Sequence, residues 1–334
     1  VSVPKVSVLM AVRDGAAYLT EALDSLWAQS FSDFELIVVD DGSQDETPAL
    51  LAACGDPRLV RLRNVQPLGL AGALNRAIGV ARGTYWARQD ADDRSLPDRL
   101  AEQAAFLDRH PDAVLLGSAY DAIDSTGGPI EVQRQPEDDR AIRWQMLFHN
   151  AFCHSSVMTR GAALRQRGLA YDPALGYAQD YDLWSRLLAF GKGANLARPH
   201  VALRLHAGSL SGANKTAQQA IATQIAARNI EALLGRRLDI ALVADLRAAY
   251  YGAPDAADSK SATLMAHYLA LGHAFRHHHG GATPPAARDR YWIERFLLTS
   301  GHITAELLCQ SLLASPWDAM RALAKRLLRG SVRA

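Results

Sequence analysis

Four mostly apolar runs alternate with stretches of helical spacing through the first 110 residues, and that alternation restricts the chain to an α/β fold. The runs are 6–12, 35–40, 59–62 and 84–88, with a fifth at 113–116. Between them, 17–29 carries Leu19, Leu23, Leu26 and Trp27 on one side of a helix, and 45–53, 69–81 and 97–110 are also helical. Ser43 stands as the N-cap of the second helix, with Glu46 three residues later as in a capping box. Strands apolar on both faces belong to a parallel sheet covered on each side by helices.

The rhythm changes after residue 120. Residues 125–140 are rich in Gly, Pro, Gln and charge and form a surface excursion; a helix starts at 141–147. A strand is expected at 155–158, a helix at 182–190, a strand at 201–205 and a small-residue loop at 208–214. From 216 the pattern is helical, with one or two helices over 216–250 and more at 286–300 and 303–329. A soft boundary near 215 divides 1–215, with halves 1–118 and 119–215, from a helical region 216–334. The 334 residues suffice for about two domains. A net charge of +1 gives no electrostatic case for nucleic acid. Cys54, Cys153 and Cys309 are widely spaced without a CxxC pair, which points to buried thiols in a reducing compartment. The chain enters its first strand without a basic leader, and it has no apolar run of about 18 residues. A cytoplasmic location follows as the expectation.

Three acidic clusters carry the chemistry: Asp40-Asp41-Gly42-Ser43, Asp90-Ala91-Asp92-Asp93 and Asp180-Tyr181-Asp182. The first two follow strands. Grouped carboxylates repel unless something neutralises them, and a divalent metal with a bound phosphate is the usual reason. In an extended Asp90-Ala91-Asp92 segment the two carboxylates converge on one side. No GxGxxG follows the first strand and no Gly-Lys-Ser/Thr loop is present, so neither a dinucleotide fingerprint nor a Walker A loop applies.

In order and spacing, these pieces resemble the inverting, nucleotide-sugar-dependent glycosyltransferases of family 2. The matching segments are Val6-Ser7-Val8, 35–43 with Asp45 and Thr47, Gly69 to Asn75, 90–93, Gln179 to Trp184, and Arg204-Leu205-His206 with Ser209, which together cover about 4–212. The resemblance implies a GT-A fold, a mostly parallel central sheet flanked by helices, here with a C-terminal helical appendage. It implies that Ala11, Arg13, Asp14, Asp41, Gly69, Ala71, Asn75, Asp90, Ala91 and Arg204 line the donor nucleotide, Asp41 meeting the base. It assigns Asp92 and His206 to a divalent Mn²⁺ or Mg²⁺ ion, and Asp180 to the general base. Asn75 is expected to orient a loop, and Arg204 to support the loop or the phosphate. Asp93 serves behind the metal or caps a turn, and Asp182 supports the site. His154-Ser155-Ser156 resembles the family's acceptor-side strand. The family has Glu-Asp where this chain has Gln179-Asp180, which puts the acceptor contact of the first residue in doubt.

The implied activity is transfer of a sugar, with UDP favoured as the nucleotide, to a hydroxyl of a glycan, a lipid-linked intermediate or a small acceptor, with inversion. The alternatives are a weak or inactive nucleotide-sugar-binding module, and a nucleotidyltransferase. The latter would want a basic Gly-rich loop where Ala11-Val12-Arg13-Asp14-Gly15 stands. His277-His278-His279 reads as a flexible exposed loop, since adjacent histidines point in different directions. The stretch 317–329 sets Trp317, Met320, Leu323, Leu327 and Leu328 among basic residues. It has two readings: packing or self-association as a homodimer, and peripheral contact with an anionic membrane at its inner face.

Overall fold

The computed structural model describes residues 3–206, 208, 214–250 and 261–279. The loop expected over 208–214, apart from Gly208 and Asn214, the helices at 286–300 and 303–329 with their basic stretch, and Cys309 lie outside the described residues. The chain forms two compact units: one of Val1–Arg143 with Asn150–Ala222, the other of Trp144–His149 with Thr223–Ala334.

In the first unit, β1 (Val6–Val12), β2 (Phe34–Asp40) and β4 (Tyr85–Arg88) are buried at every position. This is what apolar residues on both faces demand of central strands. β1 lies between β2 and β4, parallel to both, and β3 (Leu59–Arg63) extends the parallel sheet beyond β2. The register pairs Val12 with Asp40 and Leu9 with Arg88. Acidic clusters one and two therefore leave the same, carboxyl-terminal edge of the sheet. Beyond β4 the sheet becomes mixed. β8 (Met158–Arg160) runs antiparallel to β4 and to β6 (Ala113–Ile123). β9 (Lys192–Arg204) runs parallel to β6, and the short β5 (Arg94–Ser95) closes antiparallel on β9. β7 (Pro129–Gln133) makes a hairpin with β6 inside the expected excursion.

Helices cover both faces. α1 (Ala16–Trp27) buries Leu19, Ala22, Leu23 and Leu26, a stripe of helical period. α3 (Gly69–Val80) buries Ala71, Ala73, Leu74 and Ala77. α4 (Arg99–Arg109) buries Leu100, Ala104 and Leu107, together with Arg99 and Gln103. α2 (Thr47–Ala53) starts at Thr47, and Ser43 does not cap it; the Ser43 hydroxyl instead accepts the Asp14 N–H at 2.9 Å. The strand expected at 155–158 begins only at Met158, because His154–Ser156 forms a 3-10 turn. Serine hydroxyls bond nearby backbone in preference to a ladder, and Ser156 Oγ donates to Cys153 O at 2.9 Å. α5 (Asp139–Gln145) and α6 (Gly161–Arg167) are short. α7 (Gln179–Leu187) starts three residues before the expected helix and takes Asp180 into its first turn.

A polar clasp ties β1, β2 and the entry to β4. Glu35 Oε1 accepts from Ser7 Oγ at 2.6 Å and Arg82 N at 2.9 Å, and Oε2 accepts from Arg82 Nε at 2.9 Å. Burial pushes the Glu35 carboxyl up, but Ser7 and Arg82 outweigh it and hold it below the ordinary glutamate range. A depressed folded pKa confers stability that is present above the unfolded value and lost as pH falls through the folded one. Glu35→Gln is expected to cost about 1–3 kcal/mol at pH 7 by urea denaturation. The gap from wild type should close in acid; a gap that persists at low pH would assign the loss to packing.

In the second unit, Trp144, Leu147 and Phe148 lie in one core with residues of α8 (Lys215–Leu234), α9 (Ile240–Tyr250) and α10 (Ser261–His278). Trp144 meets Phe148, Tyr268 and Phe275 edge-on at 5.2–5.4 Å between ring centroids. His277 and His278 end α10 rather than lying in a loop, and His279 rests on Phe275. Among the described residues, no helix is long and apolar enough to cross a membrane.

Candidate active site

The loops after β1 and β2 are stitched to each other. Asp14 has φ 50, a left-handed conformation that aspartate tolerates. Its Oδ1 accepts the Gln44 N–H at 2.8 Å, while Gly15 N donates to Thr47 Oγ1 at 3.0 Å and Ala16 N to Asp45 Oδ2 at 3.0 Å. Ala11 is buried near the end of β1 and Arg13 is exposed beyond it. Asp41 is buried, and its carboxylate holds the entry to α3: Oδ1 accepts from Asn64 Nδ2 at 2.6 Å and Leu68 N at 2.8 Å, and Oδ2 from Gly69 N at 2.9 Å. A carboxylate accepts about four hydrogen bonds, so a place for one more N–H is left. Gly69 at φ 75 makes this turn feasible, and Ala71 is buried one half-turn on. Asn75 works as a loop clamp: its Nδ2 donates to Tyr171 O at 2.7 Å and its Oδ1 accepts Tyr171 N at 3.0 Å. Both ends of its amide are thus engaged by the loop before α7.

The second cluster gathers charge from four directions. Asp90 Oδ1 pairs with the buried Arg88 guanidinium, and Oδ2 accepts from Ser155 Oγ at 2.7 Å. Burial pushes Asp90 up, but Arg88, His154 and Ser155 outweigh it, and the carboxyl lies below its ordinary value. Asp92 Oδ2 lies 2.9 Å from His206 Nε2. Asp92 is raised by burial and then by the charge of Asp90. Asp93 accepts Arg204 N at 2.8 Å and is pushed up to about 8 by burial, Asp90 and Asp92. Ala91 sits between them, half-buried. Arg204 supports the loop, and its side chain is 1% exposed. Its guanidinium donates to Asp92 O, Asp124 O and Ser125 O and pairs with Glu21.

Beneath this loop lies a polar hub that the sequence reading missed. Arg99 donates to Gln89 Oε1 at 2.7 Å, Ser95 Oγ at 2.9 Å and Arg88 O at 2.6 Å. Gln89 Nε2 in turn donates to Asp93 O at 2.8 Å. Its only signal in sequence is a pair of polar residues, Arg99 and Gln103, on the apolar stripe of a helix.

Asp180 is half-buried in the first turn of α7 and accepts Asn150 Nδ2 at 2.7 Å. Burial pushes its carboxyl up to about 6, against the N–H groups of Tyr181 and Asp180; Asp90 raises it further and Arg88 lowers it. The four groups Arg88, Asp90, His154 and Asp180 thus share one electrostatic neighbourhood. His154 is pushed down to about 3 by burial and Arg88, so its ring is neutral, and Nε2 meets Tyr171 Oη at 2.9 Å. Asp182 is buried and paired with Arg186 at 2.7 Å. Gln179 is buried, and its Oε1 has no protein partner.

Asp92 and His206 fit a divalent ion. Their 2.9 Å separation is that of adjacent ligands on an octahedral ion with bonds of about 2.1 Å. The Arg88 guanidinium is engaged by Asp90, and Arg204 reaches Asp93 through its backbone N–H and Asp92 at its carbonyl oxygen. Among the described residues, no group of three His, Cys, Asp or Glu side chains is placed to hold a metal. Two protein ligands suit an ion whose other ligands are substrate phosphate and water, as Mg²⁺ sites commonly have.

Comparison with known proteins agrees with this architecture. The model of glycosyl transferase family 2 matches residues 7–169. EpsE of Bacillus subtilis (strain 168), a provisionally assigned glycosyltransferase, is 35% identical over 200 residues, 58% of this chain and 70% of its own. The amylovoran biosynthesis glycosyltransferase AmsE of Erwinia amylovora is 31% identical over 201 residues, 57% of this chain and 71% of its own. The crystal structure of S. aureus TarS in complex with UDP-GlcNAc superimposes with a TM-score of 0.60 at 16% identity, covering 98% of this chain and 92% of that one. At that identity the likeness is one of fold.

Proposed function

The chain belongs to glycosyl transferase family 2, and on that premise we propose that it is an inverting glycosyltransferase with Asp180 as its base. The carrying observation is a linked set of charges: Asp90 pairs with the buried Arg88, Asp92 is paired with His206 and raised by Asp90, and Asp180 lies within the influence of both Asp90 and Arg88. The loops after β1 and β2, with Asp41 at their centre, would receive the nucleotide. UDP is the favoured nucleotide, in keeping with the UDP-GlcNAc of the TarS structure. Asp92 and His206 would hold a divalent cation, which when bound supplies positive charge beside the donor diphosphate.

In the reaction an acceptor hydroxyl oxygen forms the new bond to the anomeric carbon. The bond from that carbon to the diphosphate oxygen breaks, and its electron pair leaves with the nucleoside diphosphate. The hydroxyl proton passes to the Asp180 carboxylate. A single displacement inverts the carbon and needs no protein nucleophile. His154, neutral and tied to Tyr171, orients the acceptor side without exchanging charge. The acceptor class is a hydroxyl of a glycan or lipid-linked intermediate, a reading supported by the polysaccharide role in the name of AmsE.

The test is thermal stabilisation by UDP-, GDP- and dTDP-sugars with and without Mn²⁺. A donor at 100 times its Kd stabilises the native state by about 2.7 kcal/mol. One nucleotide series is expected to raise Tm, and Mn²⁺ to add to that rise. Asp92→Asn should remove the Mn²⁺ increment and keep the folded baseline. A donor response indifferent to metal in both proteins would defeat the metal assignment; no response from any donor would defeat the donor assignment.

A further inference from the structure

Asp180 has a neighbour that no sequence pattern announces. Asn150 Nδ2 donates to Asp180 Oδ2 at 2.7 Å, and Phe152 N donates to Asn150 Oδ1 at 3.1 Å. The second bond identifies the ends of the amide: its oxygen faces a backbone N–H, so its amino group faces the carboxylate.

We propose that Asn150 is the positioning residue of the base, holding Asp180 Oδ2 so that Oδ1 is turned to the acceptor hydroxyl. This rests on the assignment of Asp180 as base. The terminal torsion of an aspartate is broad and two-fold, so a carboxylate without a fixed partner samples many directions. A side-chain donor, itself fixed by Phe152, restricts that freedom and leaves the other oxygen for the proton. During transfer the acceptor O–H bond breaks and the proton goes to Oδ1. Oδ2 keeps its hydrogen bond, and the Asn150 amide gives up nothing.

The same donor favours the ionised base. Around Asp180 stand Asp90, which opposes ionisation, and Arg88 and the N–H groups of Tyr181 and Asp180, which favour it. Tyr171, from the loop before α7, stays neutral, its hydroxyl pushed up by burial and by the Asp180 charge itself. Asn150 adds a neutral donor that needs no counter-charge.

The experiment compares Asn150→Ala and Asn150→Asp with wild type. One readout is the pH profile of nucleoside-diphosphate release from whichever UDP-, GDP- or dTDP-sugar is turned over. The other is the carboxyl titration of Asp180 by carbon-13 NMR, assigned with Asp180→Asn. Asn150→Ala is expected to lower kcat about 10–100-fold near neutral pH, the size typical of partners that orient a reacting group. Donor KM should hold. The acid limb and the Asp180 titration should move up together by about one pH unit. In Asn150→Asp the two carboxyls share a proton, both shifts grow, and activity returns at higher pH. Asn150→Ser carries the same comparison should the alanine variant fail to fold. Titration and acid limb unmoved in folded variants would overturn the proposal, as would a loss confined to donor KM. Retained nucleotide release in Asp180→Asn would instead overturn the base assignment.

Discussion

Asp180→Asn is expected to lower nucleoside-diphosphate release about 10²–10⁴-fold, the usual contribution of a positioned base. The amide keeps the size of the side chain and can still hydrogen-bond Asn150, but it cannot take a proton. In wild type the reaction should fall off below the Asp180 pKa of about 6, with a slope of one, because the protonated carboxyl cannot accept the hydroxyl proton. The stability effect has the opposite sign. Burial raises the folded pKa above the unfolded 3.8, so the native state prefers the protonated form, and stability declines as pH rises through that window. Replacement by a neutral amide removes this burden. The variant should therefore unfold at the same temperature as wild type or above it near pH 7, while turnover collapses. Activity lost together with Tm would mean that the substitution disrupted the fold, and activity retained would remove Asp180 from the chemistry.

The parts of this site that were legible in sequence are those whose backbone is dictated locally. Strands 6–12, 35–40 and 84–88 read correctly because a strand buried on both faces has no polar alternation to confuse it. The acidic clusters stood out because grouped carboxylates at the ends of apolar strands break the apolar pattern. Asp92 and His206, 114 positions apart, came together through the resemblance; spacing could not join them. Local rules also misled. The Ser43 to Glu46 pattern is a capping signature, yet the Ser43 hydroxyl meets Asp14 N across the sheet edge, and the helix waits for Thr47-Pro48. The first half of β9 was hidden because its residues 192–200 include Pro199 and charged residues; register shifts against β6 accommodate them. Asn150, Gln89 and Gln103 become functional or structural only when distant segments bury them, and an unburied polar residue in a sequence carries no mark of that fate. The six-residue segment Trp144–His149 joins the helical core without a period long enough to declare it.

Arg99→Met is expected to be the most destabilising single change in the first unit, about 3–5 kcal/mol. The side chain is 0% exposed, and burial lowers its pKa only to about 10, so it stays charged at neutral pH. Its direct acceptors are neutral: the side chains of Gln89, Ser95 and Gln103 and the carbonyls of Arg88 and Val157. Methionine fills similar volume, so little of the loss would come from a cavity. What is lost is the donor set that satisfies five buried acceptors, together with the positive charge lying behind Asp90 and Asp93. Urea denaturation followed by tryptophan fluorescence measures the cost, and a loss under about 1 kcal/mol would show that water or rearrangement replaces the guanidinium. The hub is also continuous with the 90–93 loop, the proposed cation site, through Gln89 Nε2 and Asp93 O. A variant that still folds should therefore lose Mn²⁺-dependent stabilisation by donor before it loses donor stabilisation in the absence of metal. That order distinguishes a cation whose work is to hold 88–93 in shape from one that serves the core alone: in the second case metal-dependent and metal-independent stabilisation would decline together.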